Sequence, residues 1–168
     1  MFDPPLYPTP AHLIKRHRHL PHWQLGGSIY FLTFRSARGI LPDPALRQLT
    51  THILHDHTRR YLLHFAVLMP DHAHLLLEPL QCSPGHWFSL SEILKAIKGA
   101  SSRAINKIPC TSGQVWQEEY FDRIIRDETE YNEKLNYMWN NPAKAGLVAN
   151  PADYPFFIFP PSDQVSSK

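Results

Sequence analysis

Two histidines one residue apart are the side chains of this chain whose spacing most directly suggests chemistry. His72 and His74 lie in the segment "LMPDHAHLLLEP", whose run of leucines predicts a β-strand. Because strand side chains alternate, both imidazoles are expected on one face of the strand, together with Leu76. Two imidazoles on one face can bind a single metal ion, but they can also be satisfied polar residues at the end of a strand.

A tyrosine and an asparagine form the second chemically suggestive pair. Tyr137 and Asn141 are four residues apart in "ETEYNEKLNYMWNNPAKAGLV", so they share a helix face if the helix extends that far. A tyrosine hydroxyl can attack a phosphorus centre when a cation polarises the phosphate, and an asparagine oxygen can be a ligand of that cation. Alternatively, Tyr137 packs on the sheet with Leu135 and Met138, and Asn141-Pro142 ends the helix.

The elements that must position these groups follow the order β-α-β-β-α-β-α. The predicted strands cover residues 28–35, 62–69, 72–78 and 121–125, and the predicted helices cover residues 44–60, 89–107 and 127–140. Asp43, followed by Pro44, is predicted to cap the first helix. This order predicts an α+β fold of the ferredoxin-like split β-α-β type, with a four-stranded antiparallel sheet and a C-terminal helix that carries the tyrosine.

Length and composition favour one domain without disulfides or membrane segments. The chain has 168 residues, 43% of them hydrophobic, which is enough for a core. We expect a basic, proline-rich N-terminal arm at residues 1–27, a single domain at 28–160 and a disordered tail at 161–168. Two cysteines without motif spacing, no signal peptide and no long apolar stretch predict a cytoplasmic protein. The net charge of +2 is compatible with nucleic-acid binding but does not establish it.

Four segments together resemble the REP-associated tyrosine transposases, which belong to the single-tyrosine HUH transposases. The HUH motif is histidine, a hydrophobic residue and histidine, here His72-Ala73-His74. The matching segments, which lie within residues 15–158, are "RHRHLPHW…YFLTFR", "VLMPDHAHLLLEP", "VWQEEYFDRIIRDETEY" and "NYMWNNPAKAGLV". Each motif is modest alone, but the four in this order are specific.

The resemblance implies a metal-dependent enzyme that cleaves and rejoins stem-loop DNA through a 5′-phosphotyrosine. Tyr137 matches the catalytic tyrosine, and His72, His74 and Asn141 match the metal site, which would hold Mg²⁺ or Mn²⁺. Mobile-element members often have glutamine where Asn141 stands, so the shorter asparagine could act through water. The implied partner is single-stranded or hairpin DNA, the implied location the nucleoid, and the protein a monomer or a homodimer. Whether it moves an element or processes host repeats stays open.

Basic residues throughout the chain are candidates for DNA binding, although each could also be an ordinary solvated charge. The candidates are Lys15, Arg16 and Arg18 in the arm, Lys95, Lys98, Arg103 and Lys107 in the second helix, and Arg123 and Arg126 at the fourth strand. Trp116 and Tyr120 could stack on bases or pack in the core. Two alternative functions are a non-catalytic nucleic-acid-binding module and a zinc hydrolase, but the chain has no HExxH motif for the latter.

Overall fold

The computed structural model describes residues 13–16, 22–109 and 111–160. In chain order the elements are β1 (Leu13–Arg16), β2 (His22–Leu25), β3 (Tyr30–Ser36), α1 (Asp43–Asp56), β4 (Tyr61–Leu68), β5 (His72–Pro79), β6 (Gln81–Ser83), β7 (His86–Trp87), α2 (Leu90–Ile105), β8 (Trp116–Ile124), α3 (Glu128–Lys144), a 3₁₀ helix (Pro151–Asp153) and β9 (Phe157–Ile158).

The main sheet confirms the predicted ferredoxin-like arrangement and adds one strand to it. Its order is β8-β3-β5-β4-β9, and every neighbouring pair is antiparallel. The sheet has five strands where four were predicted, because the short β9 pairs with β4 at one edge. The hydroxyl of Tyr154, just before β9, donates a hydrogen bond to the carbonyl oxygen of Leu68 at the end of β4 (2.6 Å), which helps to hold this segment at the edge.

The two faces of the sheet carry different helices. The face formed by Leu32, Phe34 and Leu75 is buried, and on this side the Trp116 indole donates a hydrogen bond to Ser101 of α2. Helices α1 and α2 pack together there, as the spacing of their apolar residues predicts. Helix α3 crosses the opposite face, where the ring of its Tyr137 contacts the ring of His74. The opposite face therefore carries the candidate chemistry.

Two segments predicted to be irregular contain short strand pairs. Within the arm predicted at residues 1–27, the backbones of β1 and β2 pair antiparallel. The loop expected after the third predicted strand contains the small β6–β7 pair. The predicted tail at 161–168 lies outside the described residues.

The helix boundaries show which local signals were decisive. Ser89 caps α2 in a capping box with Glu92, at the predicted start of this helix. Helix α1 was predicted, but its predicted cap was wrong, because Pro42 occupies the N-cap position and Asp43 lies in the first turn. The prediction that α3 ends near residue 140 was also wrong, because the helix continues through Pro142 to Lys144. Proline removes only one backbone donor here, and Pro142 is itself buried, so packing stabilises the extra turn.

Candidate nuclease site

The two imidazoles lie side by side on β5, with one nitrogen of each held by a neighbouring oxygen. The rings of His72 and His74 are 4.7 Å apart between centroids. Nδ1 of His72 lies 2.6 Å from a carboxylate oxygen of Asp71, and Nδ1 of His74 lies 2.7 Å from the hydroxyl of Thr33. Such partners fix the orientation of metal-ligating histidines and leave Nε2 as the ligating atom. The carboxylate of Asp71 can accept the Nδ1 proton of His72 and so leave its Nε2 free to bind a metal, while the hydroxyl of Thr33 restricts the ring of His74.

His74 is held in its neutral form. Its side chain is buried, and burial, followed by the nearby charges of His72, Arg35 and Lys134, lowers its pKa to about 3. Among the described residues, its Nε2 is one of the few buried side-chain atoms without a hydrogen-bond partner. A neutral imidazole with an unsatisfied nitrogen is the form that binds a metal, and an unpaired buried nitrogen is otherwise costly.

Helix α3 brings the tyrosine to the histidine pair. The ring of Tyr137 lies 5.3 Å from that of His74 and 6.1 Å from that of Phe31, in edge-to-face contacts. The Tyr137 side chain is nevertheless 43% exposed, so a large substrate can reach it. An exposed tyrosine beside two imidazoles is the arrangement that metal-assisted attack on a phosphate requires, so Tyr137 is a candidate nucleophile.

Asn141 follows one helical turn after Tyr137 because α3 extends past it. Its Nδ2 is buried and has no hydrogen-bond partner in the described part of the chain. A half-turn of the amide exchanges nitrogen and oxygen, so the oxygen can occupy the same position as a hard ligand. The described residues contain no cluster of three His, Cys, Asp or Glu side chains able to hold a metal. In this part of the chain a third protein ligand would therefore be of another type, and the amide oxygen of Asn141 is a candidate.

Three side chains around the site were not singled out as site residues by the sequence. Thr33 holds His74 from the neighbouring strand, and Arg35 forms an ion pair of 3.5 Å with Asp71. The ammonium group of Lys134 lies 5.0 Å from the ring centre of Phe31 and 5.7 Å from that of Tyr137. The spacing from Lys134 to Tyr137 could have suggested a shared helix face, but the role of Thr33 depends on strand register, which local patterns do not show.

The basic residues predicted to bind DNA are divided between the two faces of the sheet. Lys95 and Arg103 are exposed on α2, on the side of the sheet away from the histidines. Lys107 is also exposed, but the prediction that it lies in the helix was wrong, because α2 ends at Ile105. Lys98 is half-buried, and its ammonium group donates to the carbonyl oxygens of residues 117, 118 and 119 on β8. Lys98 therefore already has a structural role, which is to bind the backbone of β8.

The remaining basic candidates lie at β8 and in the arm. Arg123 and Arg126 both pair with the buried carboxylate of Glu130 at the start of α3, although much of each arginine side chain stays exposed. Lys15 and Arg16 lie on β1, whose side chains are not described, and Arg18 lies outside the described residues.

The two aromatic residues of β8 singled out in the sequence follow the core alternative and not the base-stacking one. Trp116 is buried against α2, and Tyr120 is partly buried with the ammonium group of Lys98 over its ring. Phe121, which points to the opposite face, is 56% exposed.

A second group of buried titratable residues lies further along the same face of the sheet. Nδ1 of His64 lies 3.2 Å from the hydroxyl of Tyr131, and its Nε2 lies 4.0 Å from a carboxylate oxygen of Glu78. Burial, followed by the charge of His57, lowers the pKa of His64 to about 4, while burial raises the pKa of Glu78. His64 is therefore neutral at pH 7, and its contact with Glu78 is not an ion pair there.

Because its pKa is lower in the folded state, His64 should make the protein less stable as the pH falls. The unfolded chain takes up a proton near pH 6.5 and the folded chain only near pH 4, so stability is lost between these values. We expect His64→Gln, which keeps an acceptor for Tyr131, to reduce this loss by about 2 kcal/mol between pH 7 and 4.5. Urea unfolding at the two pH values measures the difference.

Two other groups with shifted pKa values also change the stability of the protein with pH. Glu78 acts in the opposite direction, because its raised pKa favours the folded state at low pH, and His74 acts in the same direction as His64. Glu78 and His74 are present in both the wild-type protein and the variant. The difference in stability loss between the two proteins therefore reports the contribution of His64. Equal loss of stability in the two proteins would show that His64 is not held neutral.

Comparisons with known proteins agree with this geometry. The family model "Transposase IS200 like" matches residues 42–141. The chain is 26% identical over 93 residues to a REP-associated tyrosine transposase of Escherichia coli K12, covering 55% of this chain and 51% of that protein. It is 24% identical over 97 residues to a Haemophilus influenzae protein given the same description provisionally, covering 55% of each. The chain thus spans about half the length of the curated relatives it matches.

A solved structure shows the same fold over most of the chain. It is described as a REP-associated tyrosine transposase bound to a REP hairpin, with a TM-score of 0.64 and 22% identity, covering 86% of this chain and 82% of that one. In the described residues, no helix is long and apolar enough to cross a membrane. The matched family region includes both histidines, the tyrosine and the asparagine. The resemblance to REP-associated tyrosine transposases is confirmed, and the chain belongs to the IS200-like transposase family.

Proposed function

We propose that this protein cleaves and rejoins single-stranded or hairpin DNA through a covalent bond between Tyr137 and a 5′-phosphate. The observation that carries the proposal is the half-exposed ring of Tyr137 at 5.3 Å from the ring of His74. The oriented histidine pair and the unsatisfied Nε2 of His74 support it. The solved relative bound to a REP hairpin supports a hairpin as the form of the substrate.

The residues that would hold Mg²⁺ or Mn²⁺ are His72, His74 and Asn141. When bound, the cation would polarise the scissile phosphate and balance the charge that develops on its oxygens. Asp71 and Thr33 keep the two imidazoles oriented. Two nitrogens and an amide oxygen suit Mn²⁺ well, and they also accept Mg²⁺ or zinc.

The chemical step exchanges one phosphate ester for another. The hydroxyl oxygen of Tyr137 loses its proton and attacks phosphorus; its new bond forms as the bond from phosphorus to the 3′ oxygen breaks. The released 3′ oxygen takes up a proton and becomes a hydroxyl group. The ammonium group of Lys134 lies 5.7 Å from the centre of the Tyr137 ring, where its charge would attract the phosphate. Attack by a 3′-hydroxyl on the phosphotyrosine reverses the step and rejoins DNA.

DNA affinity would come from the exposed basic residues. We assign phosphate contacts to the candidates of the arm, α2 and β8, and to Arg35 and Lys134 on the histidine face. Lys98 is the weakest candidate of the group, because its ammonium group already donates to three carbonyl oxygens.

The test is to incubate the purified full chain with a labelled hairpin that carries single-stranded flanks, with Mn²⁺, Mg²⁺ or EDTA. We expect a slowly migrating, protease-sensitive DNA band on a denaturing gel with either metal and none with EDTA. Cleaved DNA without attached protein would instead favour hydrolysis, as a zinc hydrolase would perform. Binding without cleavage of any hairpin from a library of sequences would favour a non-catalytic binding module.

A further inference from the structure

An exposed aromatic ring lies on the same sheet face as the histidine pair. Phe121 is on β8, the edge strand of the main sheet, and its side chain is 56% exposed. It lies opposite Thr33 on β3, and Thr33 lies opposite His74 on β5. Residues directly opposite one another point to the same face of an antiparallel sheet. The ring therefore stands in the row of side chains that contains His74.

A continuous set of ring contacts connects Phe121 to the candidate nucleophile. The buried ring of Phe31 contacts Phe121 at 6.4 Å, Tyr137 at 6.1 Å and His74 at 5.2 Å between centroids. Because Phe121 and Tyr137 both contact Phe31, their separation corresponds to a few nucleotides of single strand. A strand whose phosphate lies at Tyr137 can thus place a neighbouring base at Phe121.

The charges around these rings suit a nucleic-acid strand. The ammonium group of Lys134 lies 5.0 Å from the ring centre of Phe31. Arg123, two residues after Phe121 and opposite Phe31, keeps 45% of its side chain exposed although it pairs with Glu130. A single exposed phenylalanine is common on protein surfaces and does not by itself indicate a binding site. Sites for single-stranded nucleic acid combine positive charge with an aromatic ring on which bases stack, and Phe121 has both cations and a candidate nucleophile nearby.

We propose that Phe121 is a stacking platform for an unpaired nucleobase of the strand that carries the scissile phosphate. The ring stacks on the base while Lys134 and Arg123 attract the adjoining phosphates. Stacking tolerates any base, so this subsite holds the strand in position and does not read its sequence. The proposal rests on the proposed function, because it assumes that a DNA strand lies at Tyr137.

The first experiment places 2-aminopurine at successive positions of the single-stranded flanks of a hairpin. Binding to the full chain should quench its fluorescence at one or two adjacent positions, because stacking on an aromatic ring quenches this base. Phe121→Leu should remove that quenching and weaken binding of the flanked hairpin about 5- to 100-fold. Phe121→Trp should retain both the quenching and the affinity for the flanked hairpin. A hairpin without flanks should bind to the wild type and to Phe121→Leu with equal affinity.

A matched control comes from the other edge of the sheet. Phe159 follows β9, is 48% exposed and contacts the ring of Trp139 on α3. Phe159→Leu makes the same chemical change at similar exposure, and it should leave quenching and affinity unchanged. Thermal unfolding of each variant verifies that it is folded.

Two results would overturn the stacking platform. One is the absence of quenching at every flank position in the wild-type protein, which requires no substitution. The other is a loss of affinity in Phe121→Leu that is equal for hairpins with and without flanks. The proposed chemistry fails separately: quenching that depends on Phe121 in a protein that forms no covalent adduct would support the subsite and refute the nuclease.

Discussion

Replacing Tyr137 by phenylalanine is expected to abolish the covalent protein–DNA adduct and to lower strand cleavage by at least about 1,000-fold. The substitution removes only the hydroxyl oxygen that would attack phosphorus. The ring remains, so its contacts with His74 and Phe31 should persist, and with them the packing of α3 on the sheet. Hairpin affinity and unfolding temperature should therefore change little. A denaturing gel measures the adduct, and fluorescence anisotropy measures binding.

Two other tyrosines provide controls for this prediction. Tyr131 belongs to α3 and is buried, and its hydroxyl lies beside His64, so DNA cannot reach it. Tyr120 lies on the opposite face of the sheet from the histidines, in the strand position opposite Phe34. Tyr120→Phe and Tyr131→Phe should both retain the adduct. An adduct that persists in Tyr137→Phe and disappears in one of the controls would assign the nucleophile to that other tyrosine.

Replacing His72 by alanine is expected to weaken Mn²⁺ binding by at least about 100-fold and to remove the adduct. Loss of a group that merely orients a ligand costs about 10- to 100-fold in metal affinity, so loss of a ligand should cost no less. His72 is the better choice for this test because His74 is more deeply buried, and its removal would also leave a cavity. Isothermal titration of the folded variant with Mn²⁺ measures the affinity.

His55→Ala is the matched control for the metal. His55 lies on α1, on the other side of the sheet, and 63% of its side chain is exposed. Its removal should leave both Mn²⁺ affinity and adduct formation unchanged. If His72→Ala binds Mn²⁺ as tightly as the wild type, His72 is not a ligand. An adduct lost in such a variant would then indicate that His72 acts on the DNA directly.

The end of α3 shows where local preference was overruled. Sequence rules place a helix end before Pro142, and this boundary would have left Asn141 outside the helix. In the structure, Met138 and Pro142 are both buried on the inner side of α3, and the helix continues through them. The burial of apolar surface outweighs one lost backbone hydrogen bond in the last turn. Without this extra turn, Tyr137 and Asn141 would not share a helix face.

The basic residues illustrate a different limit of sequence patterns. In the sequence, Lys98, Arg123 and Lys95 are all simply positive charges, but their surroundings in the structure differ. Lys98 binds backbone carbonyls, Arg123 pairs with the buried Glu130, and Lys95 is exposed. Charge in a sequence cannot show which cations already have a partner, because the fold decides which groups come within reach of one another. The same reasoning applies to the aromatic residues of β8, of which Phe121 and not Trp116 is exposed.

The sequence by itself determined the order of the four long strands and the three α-helices, and the common face of His72 and His74. Both follow from local periodicity, since strand side chains alternate and apolar residues recur at helical spacing. Only the tertiary structure decided that α3 crosses the histidine face, that Tyr137 contacts His74, and that Thr33 holds the His74 ring. These contacts join residues far apart in the chain, and they depend on strand register and on which buried surfaces fit together.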